Sequence, residues 1–276
     1  MESKCDTMLV IGNGFDLSLG LKTSYGDFIS YLKKHFARNF DSKILDYLFK
    51  RKQERNWIDI ENELKKYEYY SRSYGYPYSL KDDYKYLCLL LFVYLADLID
   101  GSKDKVLNAN PQLISALNQT ESNGLFILNF NYTDTVYTLF DNEPTFPVIK
   151  HHIHGSLKDC DNIVFGVEDG YKLKQEHSFL YKSHNRVLNV NHLNERFEDA
   201  KHILFYGYSL GQTDHSYFED FFREQSTKGC ERKKFDFFYY DEAAYDDLFW
   251  QLRKLTNNRM VQFKTFNEVN FIKVKE

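Results

Sequence analysis

The sequence MLVIGNGFDLSLGLKTSYGDF, from Met8 to Phe28, decides the fold of this chain. It opens with a short apolar run typical of a strand buried on both faces, and the run ends at Gly12-Asn13-Gly14. Glycine in such a turn permits positive φ angles and lets backbone N–H groups approach a phosphate closely. The third glycine of the dinucleotide fingerprint is missing at its usual spacing. The stretch therefore predicts either a phosphate-binding turn or a tight strand-to-helix turn without a ligand.

The composition is typical of a soluble globular protein and argues against several functional classes. Hydrophobic residues make up 43% and charged residues 28% of the 276 residues. The net charge of −4 does not favour binding to nucleic acid or to an anionic membrane. The longest apolar stretch, Leu87 to Leu98, is too short to cross a bilayer, and the N-terminal MESKCDT lacks the apolar region of a signal peptide.

The four cysteines predict neither a zinc site nor a disulfide framework. They are widely separated and form no CxxC pair: Cys5, Cys88, Cys160 and Cys230. Free thiols are compatible with a reducing compartment, so we expect a cytoplasmic protein.

The distribution of apolar residues predicts helices in the first half of the chain and alternating strands and helices in the second. Helical spacing recurs from about Tyr25 to Thr120. Later apolar runs predict strands at 124–128, 148–154, 162–167, 202–206, 235–240 and 261–266, with helices at 214–224 and 242–255. Strands that alternate with helices favour a largely parallel sheet with covered faces. We therefore expect an α/β fold with a large helical insertion after the first strand.

Small or polar residues follow four of the predicted strands. They are Gly12-Asn13-Gly14, Asn131, His154-Gly155 and Gly207-Tyr208-Ser209. Ligands of parallel α/β sheets lie outside the carboxyl ends of the strands. We therefore expect these residues to meet on one rim of the sheet.

Asn131 and His154 are the candidate reactive residues. The amide of Asn131 both donates and accepts hydrogen bonds, which suits holding a water or a ribose hydroxyl. An Asx turn that closes the strand is the alternative interpretation. The imidazole of His154 suits a general base near neutral pH, whereas a half-buried histidine bonded to backbone is the structural alternative.

Two further patterns suggest other chemistry. His151, His152 and His154 suggest a metal site, but strand alternation places only His152 and His154 on one face. A third and fourth ligand are not evident nearby, so no metal is predicted. Ser209 lies in GYSLG, which matches the G-x-S-x-G elbow of hydrolases. That interpretation requires a later histidine, and His215 follows by only six residues, too near for the usual triad base.

Three aspartates have alternative roles, and none is assigned to catalysis. Asp16 is expected either to bind a ribose hydroxyl or to cap the following helix. The role of Asp27 is left open between a ligand contact and a helix cap. Asp214 is expected to be the N-cap of the helix predicted at 214–224.

The order of motifs resembles the AbiH family, named for bacteriophage abortive infection. The motifs are GNGFDLSLGLKTSYGDF, FNYT, IHGS, FGVED and GYSLGQTD, and WIDIE at Trp57–Glu61 is also similar to that family. The resemblance runs through most of the chain and implies a role in antiviral defence.

The same order more distantly resembles the sirtuin NAD-binding fold, in which a glycine loop precedes an Asn motif, an HG pair and a G-x-S motif. This resemblance implies a Rossmann-like fold with NAD as substrate or ligand. It implies these contacts: Gly12 and Gly14 with the pyrophosphate, Asn131 near the nicotinamide ribose, His154 as the catalytic histidine, and Gly207 and Ser209 with the adenosine half. Asn13 and Asp16 belong to the same predicted cofactor site.

The chain departs from the sirtuin pattern at two points. Sirtuin deacylases carry two cysteine pairs for structural zinc between HG and G-x-S, whereas this interval contains only Cys160. Protein deacylation is therefore not expected. The acidic residue expected two positions after Asn131 is Thr133, and Asp134 follows one position later.

The resulting hypothesis is an antiphage protein that binds NAD and hydrolyses its nicotinamide glycosidic bond. The nucleotide-binding domain is expected to comprise residues 1–24 and 121–276, with the helical insertion at 25–120. The alternative is a non-catalytic nucleotide-binding sensor that regulates a defence partner. A third interpretation, a toxin acting on nucleic acid, is disfavoured by the net charge. A partner protein or a homo-oligomer is compatible with either function, and a membrane partner is not expected.

Overall fold

A six-stranded parallel sheet organises the part of the chain that the computed structural model describes, which is residues 5–36, 42–50, 57–75, 78–99, 110–118, 123–140, 146–158, 163–185, 190 and 192–275. The strands are β1 (Thr7–Ile11), β2 (Leu125–Asn129), β3 (Val148–His152), β4 (His202–Tyr206), β5 (Lys234–Tyr239) and β6 (Glu268–Lys273). Their order across the sheet is β3-β2-β1-β4-β5-β6, and every neighbouring pair is parallel. The predicted α/β class with a parallel sheet is therefore confirmed.

Burial of the strands follows their position in the sheet. All five residues of β1 and of β2 are buried, whereas the edge strands β3 and β6 contain no fully buried residue. A central strand of a parallel sheet is covered on both faces, which is why it is a continuous apolar run in the sequence. In register, Ile11 of β1 lies beside Asn129 of β2 and Tyr206 of β4. The carboxyl ends of these three strands therefore meet at one edge.

Helices occupy most of the remaining described residues. They are α1 (Gly14–Ser18), α2 (Tyr25–Phe36), α3 (Lys43–Lys50), α4 (Trp57–Ser71), α5 (Leu80–Ile99), α6 (Pro111–Asn118), α7 (Leu193–Asp199), α8 (Glu219–Glu224), α9 (Glu242–Leu255) and α10 (Met260–Phe266). Between 25 and 120 the described elements are all helical, as the spacing predicts; residues 100–109 of this stretch lie outside the described part. Among the described residues, no helix combines the length and apolar character needed to cross a membrane.

The chain divides into two compact units. The first comprises Met1–Gly20, Lys103–Ile153 and Val190–Glu276 and contains the whole sheet; the second comprises Leu21–Ser102 and His154–Asn189. The domain boundaries predicted from the sequence stay a prediction. The second unit is mainly helical, with two short 3-10 turns at Gln175–Leu180 and Lys182–His184.

Buried charges hold α4 in the second unit. Glu61 pairs with the buried Lys182 at 2.9 Å. Glu68 lies seven residues further along α4 and is fully buried. It accepts hydrogen bonds from Arg72 at 2.7 and 3.0 Å and lies 2.6 Å from Nδ1 of His177. Residues seven apart share one helix face. This polar face therefore packs on the segment that carries the 3-10 turns.

A local cap explains the beginning of α2 in the motif TSYGDF. The Ser24 hydroxyl accepts a hydrogen bond from the backbone N–H of Asp27 at 3.1 Å and donates to the carboxylate of the same residue. A serine followed three residues later by an acidic residue satisfies the first N–H groups of a helix. The role of Asp27 in this structure is thus to support the helix terminus.

The predicted final strand at 261–266 is wrong. These residues lie in α10, and the last strand is β6. Met260 and Phe263 are buried, whereas Val261 is 77% exposed. Two buried residues three positions apart fit the helical period. The apolar composition of so short a run does not distinguish this period from the two-residue period of a strand.

Two other predicted elements also differ from the structure. Residues 163–166 form no strand, and Val167 makes only an isolated bridge to Tyr181; Asn162 lies outside the described residues. The segment is apolar because it is buried in the second unit, where Tyr84 donates to the carbonyl of Phe165. The helix predicted at 214–224 is instead a 3-10 turn at Gln212–Tyr217 followed by α8.

Candidate functional site

The loops that follow β1 and β4 contact each other at the carboxyl edge of the sheet. In the sheet, β2 and β3 lie on one side of the central β1, and β4, β5 and β6 lie on the other side. The N–H of Gly14 donates to the carbonyl of Gly207 at 2.8 Å, and the N–H of Gly12 donates to the carbonyl of Tyr206 at 3.3 Å. Ligands of open parallel sheets bind at the carboxyl edge where the strand order reverses. This loop contact therefore marks the candidate site.

Three glycines are needed because the two loop backbones touch. A Cβ added to Gly207 would lie 2.2 Å from the nitrogen of Phe15, and one added to Gly14 would lie 2.6 Å from the Cα of Gly207. A Cβ on Gly12 would lie 2.6 Å from the carbonyl oxygen of Gly207. Gly207 also has a φ of +62°, which disfavours any side chain. The glycines therefore permit one loop to pack directly on the other.

The same contacts bear on the prediction that the glycine turn binds a phosphate. The N–H groups of Gly12 and Gly14 already donate to carbonyl groups, so these two donors are not directed at a ligand in this conformation. Asn13, between them, is partly exposed, and Ser209, two residues beyond Gly207, is exposed. The contacts of all five residues with a pyrophosphate or an adenosine stay a prediction.

Asp16 is a buried carboxylate beside this loop contact. It lies in α1, is 1% exposed, and accepts hydrogen bonds from the hydroxyls of Thr133, at 2.7 Å, and Thr135. Burial raises the pKa of Asp16 to about 6, although both hydroxyl bonds act to lower it. The carboxylate thus points to the loop after β2 and does not cap a following helix. A strongly raised pKa at a strand-end loop is typical of functional sites.

Asn131 connects the loop after β2 to the turn after β1. Its side-chain N–H donates to the carbonyl of Gly12 at 3.1 Å, and the side chain is buried. The Asx turn that closes the strand is made by the neighbouring Asn129, whose side-chain oxygen accepts from the N–H of Asn131 at 2.9 Å. The structure therefore brings Asn131 and the glycine turn together.

His152, the last residue of β3, supports the Asn131 loop. Its Nδ1 lies 2.9 Å from the carbonyl oxygen of Asn131, and its Nε2 lies 2.7 Å from a carboxylate oxygen of Asp134. A carbonyl only accepts, so Nδ1 carries a proton. The sequence suggests His152 only as a metal ligand, because its contact with Asn131 joins positions 21 residues apart in the chain.

His154 belongs to the second unit, whereas the other predicted site residues belong to the first. It follows β3 by two residues and is 8% exposed. Its carbonyl accepts a hydrogen bond from the N–H of Val164 at 2.8 Å, and Gly155 after it has a φ of +81°. The catalytic role of His154 stays a prediction.

The structure offers no support for the hydrolase elbow. Ser209 is exposed, while Nε2 of His215 lies 3.2 Å from the carbonyl oxygen of Leu210 and 3.0 Å from the amide oxygen of Gln251. Asp214 accepts from the hydroxyl of Tyr208 at 3.1 Å and lies inside a 3-10 turn, so it is not an N-cap. Within the described part of the chain, no cluster of three or more His, Cys, Asp or Glu is arranged to hold a metal ion.

Fold and site together define a parallel α/β protein whose β1 and β4 loops meet where the strand order reverses. A family profile described as "Bacteriophage abortive infection AbiH" matches residues 8–236, and the chain belongs to this family. The resemblance seen in the motifs is therefore confirmed for AbiH, whereas the sirtuin resemblance stays a prediction. No curated protein matches the chain.

Proposed function

We propose that this AbiH protein acts in phage defence by binding NAD at the carboxyl edge of its sheet and hydrolysing the bond between nicotinamide and ribose. The family carries the defence role. The ligand and the reaction are proposed from the site and from the sirtuin resemblance of the motifs.

One observation carries the proposal of a nucleotide ligand. The order β3-β2-β1-β4-β5-β6 is that of doubly wound, Rossmann-like dinucleotide-binding sheets, in which the ligand crosses the edge between the first and fourth strands. In this chain the glycine turn and the G-x-S loop follow those two strands. The motifs and the reversal point thus coincide.

Asp16 supports a ligand site at the same place. Ionising a carboxyl that is 1% exposed lowers the stability of the fold, and the sequence nevertheless places an aspartate there. Natural proteins tolerate such groups mainly where function needs them. A ribose hydroxyl is a suitable partner for a carboxylate acceptor.

The chemistry of NAD suits a site without metal. Nicotinamide leaves as a neutral molecule, and the transition state resembles an oxocarbenium ion, as in glycoside hydrolysis. Asn131 is proposed to orient the attacking water. His154 is proposed to accept its proton or that of a ribose hydroxyl; this role rests on the motif resemblance alone.

The test is turnover by purified protein incubated with NAD, with nicotinamide and ADP-ribose measured by chromatography. His154→Ala is expected to lower the rate about 10²- to 10⁴-fold, the usual contribution of a positioned proton-transfer group. Asn131→Ala is expected to lower it by on the order of 10²-fold, because the attacking water loses its orientation. His192→Ala is the matched control, because His192 is exposed and pairs with Glu195 on the surface. Full activity in both site variants contradicts the assignment.

A nucleotide sensor without turnover is the second candidate, and the contacts of Asn131 favour it. One N–H of its amide already donates to the carbonyl of Gly12, which leaves less of the amide to hold a water. Such a sensor is proposed to pass its ligand state to a defence partner or to another copy of the chain. Saturable binding of NAD with no nicotinamide released over hours selects this function over hydrolysis.

A further inference from the structure

Tyr240 presents an aromatic ring at the carboxyl edge of the sheet, next to the candidate site. It is the first residue after β5, and its side chain is 38% exposed. Its hydroxyl lies 3.0 Å from the carbonyl oxygen of Gly14, to which it donates. A hydrogen bond therefore holds this exposed ring next to the glycine turn.

The ring is held in one orientation. Its hydroxyl oxygen also lies 3.1 Å from the hydroxyl of Tyr206, the last residue of β4, and the two rings meet edge to face with centroids 6.2 Å apart. The Tyr240 phenol is neutral at pH 7 and does not repel a phosphate, and burial raises its pKa further above the ordinary value. A ring fixed before binding loses little conformational entropy when a ligand stacks on it.

We propose that Tyr240 stacks on the adenine of the bound nucleotide; this inference rests on the proposed function. The sheet order places β2, with Asn131, on one side of β1, and places β4 and β5, with Tyr240, on the other. A dinucleotide with its nicotinamide ribose at Asn131 therefore extends its other base toward β5. Every base has an aromatic face, and tyrosine is a common platform for it.

The test compares the affinities of two ligands by calorimetry. ADP-ribose carries adenine, and nicotinamide mononucleotide does not. Stacking is worth roughly 1–3 kcal/mol per base, so Tyr240→Ala is expected to weaken ADP-ribose binding about 10- to 100-fold and to leave nicotinamide mononucleotide within about twofold. Tyr240→Phe keeps the ring and is expected to retain most of the affinity for ADP-ribose.

Trp250→Ala is the matched control, because Trp250 is an aromatic side chain on α9 of the same unit with 52% exposure. Equal weakening of both ligands by Tyr240→Ala means that the residue only supports the glycine turn, and the inference is then wrong. Unchanged binding of ADP-ribose by the alanine variant also overturns it. If the wild-type protein binds neither ligand nor NAD, the proposed function fails and the inference fails with it, an outcome distinct from the first two.

Discussion

Gly207→Ala is expected to destabilise the first unit by about 2–5 kcal/mol, the sum of a left-handed backbone penalty and a steric overlap. The new Cβ would lie 2.2 Å from the nitrogen of Phe15 and 2.5 Å from the carbonyl carbon of Gly14. Both atoms are backbone and have no rotamer that would relieve the contact. The two loops must therefore separate, which also breaks the hydrogen bond from Gly14 to Gly207. Thermal unfolding followed by circular dichroism should show a midpoint lowered by on the order of 10 °C.

Gly20→Ala separates the two contributions to that loss. Gly20 has a φ of +72°, close to the +62° of Gly207, but nothing lies within 4 Å of the position of its added Cβ. Its replacement should cost only the backbone penalty, about 1–2 kcal/mol. Equal losses at the two glycines would show that the loop contact contributes nothing.

Asp16→Asn is expected to make the fold more stable at pH 7 and to weaken nucleotide binding. Burial raises the pKa of Asp16 from 3.8 to about 6, so the folded state holds the proton more tightly than the unfolded chain does. Stability contributed by this group therefore falls as the pH rises from about 4 to about 6, and then remains at the lower value. Two pKa units correspond to about 3 kcal/mol.

Asparagine preserves the contacts of Asp16 because its amide accepts from one threonine hydroxyl and donates to the other. The variant should gain up to about 3 kcal/mol over wild type at pH 7 and almost nothing at pH 4. Urea titrations at the two pH values measure this difference. A variant less stable than wild type at pH 7 would show that the ionised carboxylate stabilises the fold.

Asp236→Asn is a matched control of opposite sign. Asp236 is also buried, and burial acts to raise its pKa, but hydrogen bonds from His202 at 2.7 Å and Asn270 at 2.8 Å hold the pKa below its usual value. Its carboxylate therefore stabilises the fold at neutral pH, and that stability is lost as the pH falls through the folded pKa. The asparagine variant should lose about 1–3 kcal/mol at pH 7.

Much of the fold could be predicted from local pattern. The buried strands β1, β2 and β4 are continuous apolar runs that are followed by polar or glycine residues. Such runs can be recognised in the sequence without information on contacts between distant residues. The prediction of the last strand at 261–266 is wrong because six residues are too few for their apolar positions to distinguish a strand from a helix. Only the burial of Phe263 together with the exposure of Val261 reveals the helical period.

The candidate site was predictable only as a set of strand ends. Sequence identified Asn131 and the glycines, but it did not identify Thr133 and Thr135 as partners of Asp16, because hydrogen-bond partners more than a hundred residues apart depend on the strand order. It missed Tyr240 for the same reason, since that residue reaches Gly14 from β5.

The sequence by itself determined the parallel α/β class, the family and the positions of the glycine loops, because apolar runs and glycine turns are local properties of the chain. Only the tertiary structure decided what those loops touch and what each buried charge contributes. Asp16 and Asp236 are the same residue type with pKa values shifted in opposite directions, since the groups that surround a buried carboxylate come from distant parts of the chain.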